Sequence, residues 1–152
     1  MMLALHRCQC LSEKWVADRG VDMIRAGAGH SNDADGMRAV DTALSEAMSH
    51  LGGDSADVAF LFATYHHMSD AAAMVDVAID RAGTDVVAGC SAMGVMTDAR
   101  ENDREPGVAV LVLAGDQMGA IPIVAEGDDA GRLVGERVLP YSDEYGLLVL
   151  MP

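Results

Sequence analysis

Lysine is almost missing from this chain: Lys14 is the only one. Ten basic residues stand against 24 acidic ones, for a net charge of −14. Such a surface repels phosphate backbones and anionic headgroups, so neither nucleic-acid binding nor membrane attachment is expected. Aromatics make up only 4% of the residues, which leaves few platforms for stacking bases. No apolar run approaches the roughly 20 residues of a membrane span. The apolar opening Met1–Leu5 is broken at once by His6, Arg7, Cys8 and Gln9, so no signal peptide is read. The cysteines form no even framework. Cys8 and Cys10 are too close for an unstrained bridge and Cys90 stands alone, which points to a reducing, cytoplasmic compartment. No Walker A lysine motif occurs. Gly27-Ala28-Gly29 carries Asn32 where a dinucleotide fingerprint needs its third glycine, so no nucleotide cofactor is expected.

What is present is apolar: 51% of the 152 residues, enough for one domain with a core of Ala, Val, Leu and Met. Residues 1–20 show no period and are read as a variable lead-in, disordered in part, with Met23 an alternative start. Residues 21–152 are read as the α/β domain. Val21–Ala28 suits a strand and Gly29–Asn32 a turn, with Asn32 or Asp33 as helix cap. Met37, Val40, Leu44, Met48 and Leu51 recur at helical spacing, and Gly52-Gly53 stops the helix. The apolar run within Asp57–Thr64 suits a strand covered on both faces. Ser69 is read as the cap of a second helix with Ala72, Val75, Ile79 and Ala82 inward and Gly83 as its stop; Asp85–Cys90 is the next strand. A crossover of this length makes the two strands parallel neighbours in a βαβ unit.

After a charged loop over Thr97–Pro106, the strand Gly107–Ala114 and the segment Met118–Ala125 read as an antiparallel hairpin. Pro122 suits an edge or a bulge. Asp128–Leu139 is read as a short helix and Tyr145–Met151 as a last strand. Because that strand is followed only by Pro152, a continuation is expected, with an exposed apolar edge near 145–152 in its absence. The fold class is therefore α/β: a mixed sheet with a βαβ unit followed by an antiparallel hairpin, helices packed on the sheet.

Chemistry gathers at two neighbouring strand ends. In open α/β sheets ligands collect outside the carboxyl ends of the strands. His66 and His67 lie just past one such end. Cys90, at the end of the neighbouring strand, is followed by Ser91 and Gly94. Gly89-Cys90-Ser91-Ala92-Met93 has Met93 where a hydrolase elbow needs glycine. The last histidine, His67, precedes the serine, so a Ser-His-Asp hydrolase is rejected. A zinc site from His66, His67 and Cys90 fails on ligand number, since adjacent histidines in extended chain point to opposite sides; no metal is expected.

The segments Thr64-Tyr65-His66-His67 and Val87–Val95, the following Arg100-Glu101 loop and the strand Val108–Leu113 together resemble FIST domains. So does the upstream turn Gly27–Asn32 with its Ala-rich helix. The similarity covers roughly residues 24–152. The pattern differs at Met93, where a polar or acidic residue is more usual, and at Thr64, where serine is commoner. The resemblance implies the N-terminal part of a sensory input domain of prokaryotic signalling proteins, proposed to bind small molecules such as amino acids. It further implies a C-terminal part of the same domain, or a signalling partner.

Together these readings predict a pocket formed by His66, His67, Cys90, Ser91 and Gly94 and closed by Arg100 and Glu101. Arg100 and backbone N–H groups would hold a ligand carboxylate, and Glu101 an amine. The alternative is an enzyme in which Cys90 is a nucleophile activated by His66 or His67. An interaction module without ligand is a third reading. A catalytic thiol must be reachable. Cys90 ends a strand buried on both faces, and Asp98, Glu101 and Asp103 crowd the next loop, so no catalytic residue is assigned.

Overall fold

The computed structural model describes residues 2–3, 23–53, 55–116, 118–141 and 149. The chain divides into two compact units, one spanning Arg25–Ala114 and the other Met1–Ile24 with Gly115–Pro152.

The first unit is built on a four-stranded sheet. Its strands are β1 (Ile24–Ser31), β2 (Val58–Thr64), β3 (Val87–Ala92) and β6 (Val108–Gly115), in the order β1-β6-β2-β3. Helix α1 (Gly36–Leu51) follows β1, and α2 (Ala71–Ala82) connects β2 to β3. As expected for a βαβ crossover, β2 and β3 are parallel, with Leu61 opposite Gly89 and Phe62 opposite Cys90. The fold is thus α/β with a mixed sheet, since β6 runs antiparallel to β2. Between β3 and β6 the chain forms a small antiparallel hairpin of β4 (Val95–Met96) and β5 (Glu101–Asn102).

Both helices lie on one face of the sheet. Ala39, Val40, Ala43, Leu44, Ala47 and Leu51 of α1 and Met74, Ala78 and Ala82 of α2 join one core with the same-face strand residues Ala59, Leu61, Val108, Val110 and Val112. Each helix ends on a left-handed glycine, Gly52 at φ 69° and Gly83 at φ 66°, as their positions foretold. The Arg25 guanidinium donates to the last carbonyls of α1, at Leu51 (3.3 Å) and Gly52 (3.1 Å). No helix among the described residues is long and apolar enough to cross a membrane.

Four local expectations need correction. The first strand runs to Ser31 rather than stopping at Ala28. Gly27 and Gly29 are strand residues facing α1, where a Cβ would overlap the carbonyl oxygens of Ala47 and Ala43. Their role is close approach of helix to strand, not a turn. The cap of α1 is Asp35, whose Oδ1 accepts from the N–H groups of Met37 and Arg38, both at 3.1 Å. Ser69 caps nothing: Tyr65–Asp70 forms a 3-10 turn leading directly into α2, and its buried face is Met74, Ala78 and Ala82 rather than one starting at Ala72. Finally, β6 is paired on both sides within the sheet, so it cannot take 118–125 as a hairpin partner. The antiparallel hairpin that follows the βαβ unit is β4–β5.

In the second unit Pro122–Ile123 pairs antiparallel with Met2–Leu3. Helix α3 (Ala130–Val138) occupies the segment read as helical, buries Val134 and passes into a 3-10 turn at Leu139–Tyr141. The rest of the lead-in, and all of the expected last strand but Val149, lie outside the described residues.

Candidate functional site at the carboxyl end of the sheet

The register sets Thr64 opposite Ala92, so the parallel strands β2 and β3 end level. Beyond Thr64 the 3-10 turn carries His66 and His67 and packs against β2, β3 and α1. Thr64 anchors this end. Its N–H donates to the Gly107 carbonyl (2.9 Å), and its Oγ1 accepts from the Gly107 N–H (3.0 Å). His66 is exposed; its Nδ1 lies 3.2 Å from Thr64 Oγ1 and its ring stacks on Tyr65 at 4.0 Å.

His67 is buried, 1% exposed, and neither ring nitrogen has a hydrogen-bond partner. A buried imidazole left unpaired costs about 1–3 kcal/mol. Burial pushes its pKa down. The Asp70 carboxylate opposes that, His66 adds to it, and Asp33 and Asp35 oppose it again.

A second imidazole repeats the pattern. His30, near the end of β1, is 2% exposed and both of its ring nitrogens are unpartnered. Its backbone N–H donates to Glu46 Oε2 of α1 at 2.8 Å. The other carboxylate oxygen of Glu46 lies 3.7 Å from Arg100 Nη2. Burial lowers the His30 pKa, the Arg100 charge lowers it further, and Glu46 opposes both. Arg100 thus ties the β4–β5 hairpin to α1.

The sequence-predicted residues are only partly brought together. His67 and Arg100 belong to the two imidazole clusters. Cys90 is a half-buried free thiol in edge strand β3, opposite Phe62. Among the described residues no hydrogen bond joins it to His66 or His67. Ser91 is exposed opposite Ala63. Gly94 lies under the hairpin, where a Cβ would come within 2.7 Å of the Asn102 carbonyl oxygen. Its reason is packing. Asn102 is buried and organises the loop, donating to the Pro106 carbonyl (2.8 Å) and accepting from Glu105 N–H (3.0 Å). Glu101 is exposed in β5, and Arg100 is already engaged by Glu46.

Sequence reasoning missed His30, Glu46 and Asp70. His30 was hidden because Gly29 was taken for a turn residue. The signal for Asp70 was its place between two histidines and an apolar helix.

Elsewhere, a cleft of about 310 Å³ is lined by Leu44, Ser45, Met48, Gly53 and Arg81. Arg81 is already bonded to Asp41 (2.6 Å) and Ser45 (3.1 Å), so the cleft offers no free charge. Among the described residues no three His, Cys, Asp or Glu side chains are grouped to hold a metal ion. No protein-family model matches this chain, and no curated protein matches its sequence.

Proposed function

We propose that this chain is a small-ligand-binding sensory domain of the FIST type, acting in the cytoplasm as the input part of a prokaryotic signalling protein. The observation that carries the reading is the pair of buried imidazoles, His30 and His67, with all four ring nitrogens unpartnered at the carboxyl end of a mixed α/β sheet. Nearly all buried polar groups in folded proteins are paired. Two unpaired ones at the end where ligands collect in such sheets favour a binding role. Glu46, Arg100 and Asp70 supply charge of both signs around them. The alternative, a nucleophilic Cys90, has weaker support, because that thiol has neither an imidazole partner nor a charged neighbour bonded to it among the described residues. The event sensed here would pass to a C-terminal part of the domain or to a signalling partner.

The test is a thermal-shift screen of the full chain against amino acids and related small polar molecules, followed by NMR of the histidine rings. A ligand that raises the Tm and moves the His30 or His67 resonances is expected. A panel in which no compound does either would overturn the proposal.

A further inference from the structure

Which molecule the site takes can be narrowed from the charges already satisfied. This step rests on the sensory reading above. Arg100 is held by Glu46, and Arg38 is held by Asp33 (3.0 Å) and Asp35 (3.7 Å). An anionic ligand therefore meets no free guanidinium among the described residues at this end. A cation does meet a free carboxylate. Among the described residues Asp70 accepts only from the Ser69 hydroxyl, at 3.4 Å, and no basic side chain lies within ion-pair distance of it.

Asp70 also has a built setting. Gly36, the first residue of α1, leaves room for it: a Cβ there would lie 3.0 Å from Asp70 Oδ2 and 3.1 Å from Met74 Sδ. Behind Asp70, in the same 3-10 turn, His67 is sealed with both nitrogens unpartnered. A neutral imidazole offers one acceptor nitrogen to an N–H donor. In the same two segments large apolar side chains are exposed: Met37 (36%) at the start of α1, and Tyr65 (55%) and Met68 (57%) in the turn. Methionine and tyrosine are adaptable walls for an apolar body, and an aromatic face adds attraction for a cation.

We propose that the pole formed by the first turn of α1 and the Tyr65–Asp70 turn binds an organic amine with an apolar body. Asp70 is the counter-ion, His67 the hydrogen-bond acceptor, and Met37, Tyr65 and Met68 form the wall. The ammonium meets Asp70 first, and a hydrogen bond to the sealed His67 requires the six-residue 3-10 segment to shift. The net charge of −14 favours the approach of such a cation.

The experiment is calorimetric titration of the full chain at pH 7.5 with four probes of similar shape: 2-phenylethylamine, 2-phenylethanol, phenylalanine and phenylacetate. The amine is expected to bind most tightly and the acid least. Asp70→Asn should weaken amine binding at least tenfold, His67→Phe severalfold, and Asp76→Asn, on an exposed part of α2, not at all. Amine-induced shifts of the His67 ring resonances in the unaltered chain provide the same test if a variant fails to fold. Amine binding that is absent, or unchanged in Asp70→Asn, overturns this inference. If phenylalanine or another polar molecule then still binds, the sensory reading survives; if nothing in the wider panel binds, both fail.

Discussion

Along the seam between β1 and α1, glycine and alanine let backbone touch backbone. Gly27 and Gly29 lie against the carbonyls of Ala47 and Ala43, and the buried side of α1 is Ala39, Val40, Ala43, Leu44 and Ala47. At the carboxyl end of the same sheet, His30 and His67 are as deeply buried but unpaired. The seam gains from close packing with almost no polar group to satisfy. The carboxyl end gives up stability by sealing imidazoles without partners. A protein keeps such a cost where something other than folding benefits, and functional sites are where strain of this kind collects.

The largest effect should come from the seam. Gly29→Val sets two methyls where even a Cβ overlaps the Ala43 carbonyl. Overpacking against side chains costs about 1–3 kcal/mol, and here the obstacle is backbone, so a loss of about 3 kcal/mol or more is expected in urea unfolding. A variant within 1 kcal/mol of the unaltered chain would mean that α1 can lift off β1 freely.

The carboxyl end should reveal itself through pH. His30 and His67 both have pKa values lowered from 6.5, mainly by burial. Above 6.5 neither the folded nor the unfolded chain protonates them, and stability is flat. As the pH falls below 6.5 the unfolded chain takes up protons first, so stability drops. The slope reaches at most about 1.4 kcal/mol per pH unit for each histidine, and it ends below the folded pKa values. His67→Phe should remove one share of this slope. At pH 7.5 the same change should leave stability equal or slightly higher, because an apolar ring of similar shape replaces two unpaired nitrogens. A flat profile between pH 6.5 and 5 would mean that the imidazoles find partners in solution.

That contrast also explains what was readable from the sequence. The βαβ unit follows from the apolar run Val58–Ala63, the helical spacing in Ala71–Ala82 and its glycine stop, all local signals that tertiary packing reinforces. The parallel pairing of β2 with β3 followed from them. Gly29 misled because glycine at a turn and glycine under a helix look alike in one dimension; the difference is Ala43, 14 positions along the chain. The same confusion removed His30 from the predicted site. β6 could not be placed either, since its antiparallel partner β2 lies about 50 residues back and Met118–Ala125 was the nearer candidate. Of the predicted site, His67 was singled out from its position after a strand end, and Arg100 from the charged loop that carries the family resemblance. The carboxylates that face them come from α1, from the loop before it and from the turn before α2, and no spacing rule links them.

A smaller effect is expected at the helix start. Asp35→Ala removes the acceptor for two N–H groups of α1 and should cost about 1 kcal/mol, read as a lower urea midpoint with unchanged slope. No loss would mean that solvent caps α1 equally well.

The smallest effect separates exposed charge from buried imidazole. Asp33 Oδ1 accepts from Arg38 Nη2 (3.0 Å) and from the Asp35 N–H (2.9 Å), while Oδ2 accepts from Arg38 Nε (3.0 Å). Arg38 first, then the Asp35 N–H, push the Asp33 pKa down to about 2 from 3.8. The sign is opposite in origin to that of the histidines: here the charged form is favoured by folding. Its contribution is complete above 3.8 and disappears as the pH falls through about 2, well below the histidine window. Acid titration of the folded chain by carboxyl NMR should therefore show Asp33 protonating only as the pH approaches about 2. Arg38→Ala should return it most of the way to the ordinary range, and the Asp35 N–H should keep it slightly low. Because the pair is exposed, 1 M salt should shrink the Arg38 effect. The pH dependence of the sealed imidazoles, set mainly by desolvation, should hardly change. An Asp33 value unmoved by Arg38→Ala would mean that the guanidinium does not hold this geometry in solution, and Arg38 would then be free to receive an anionic ligand.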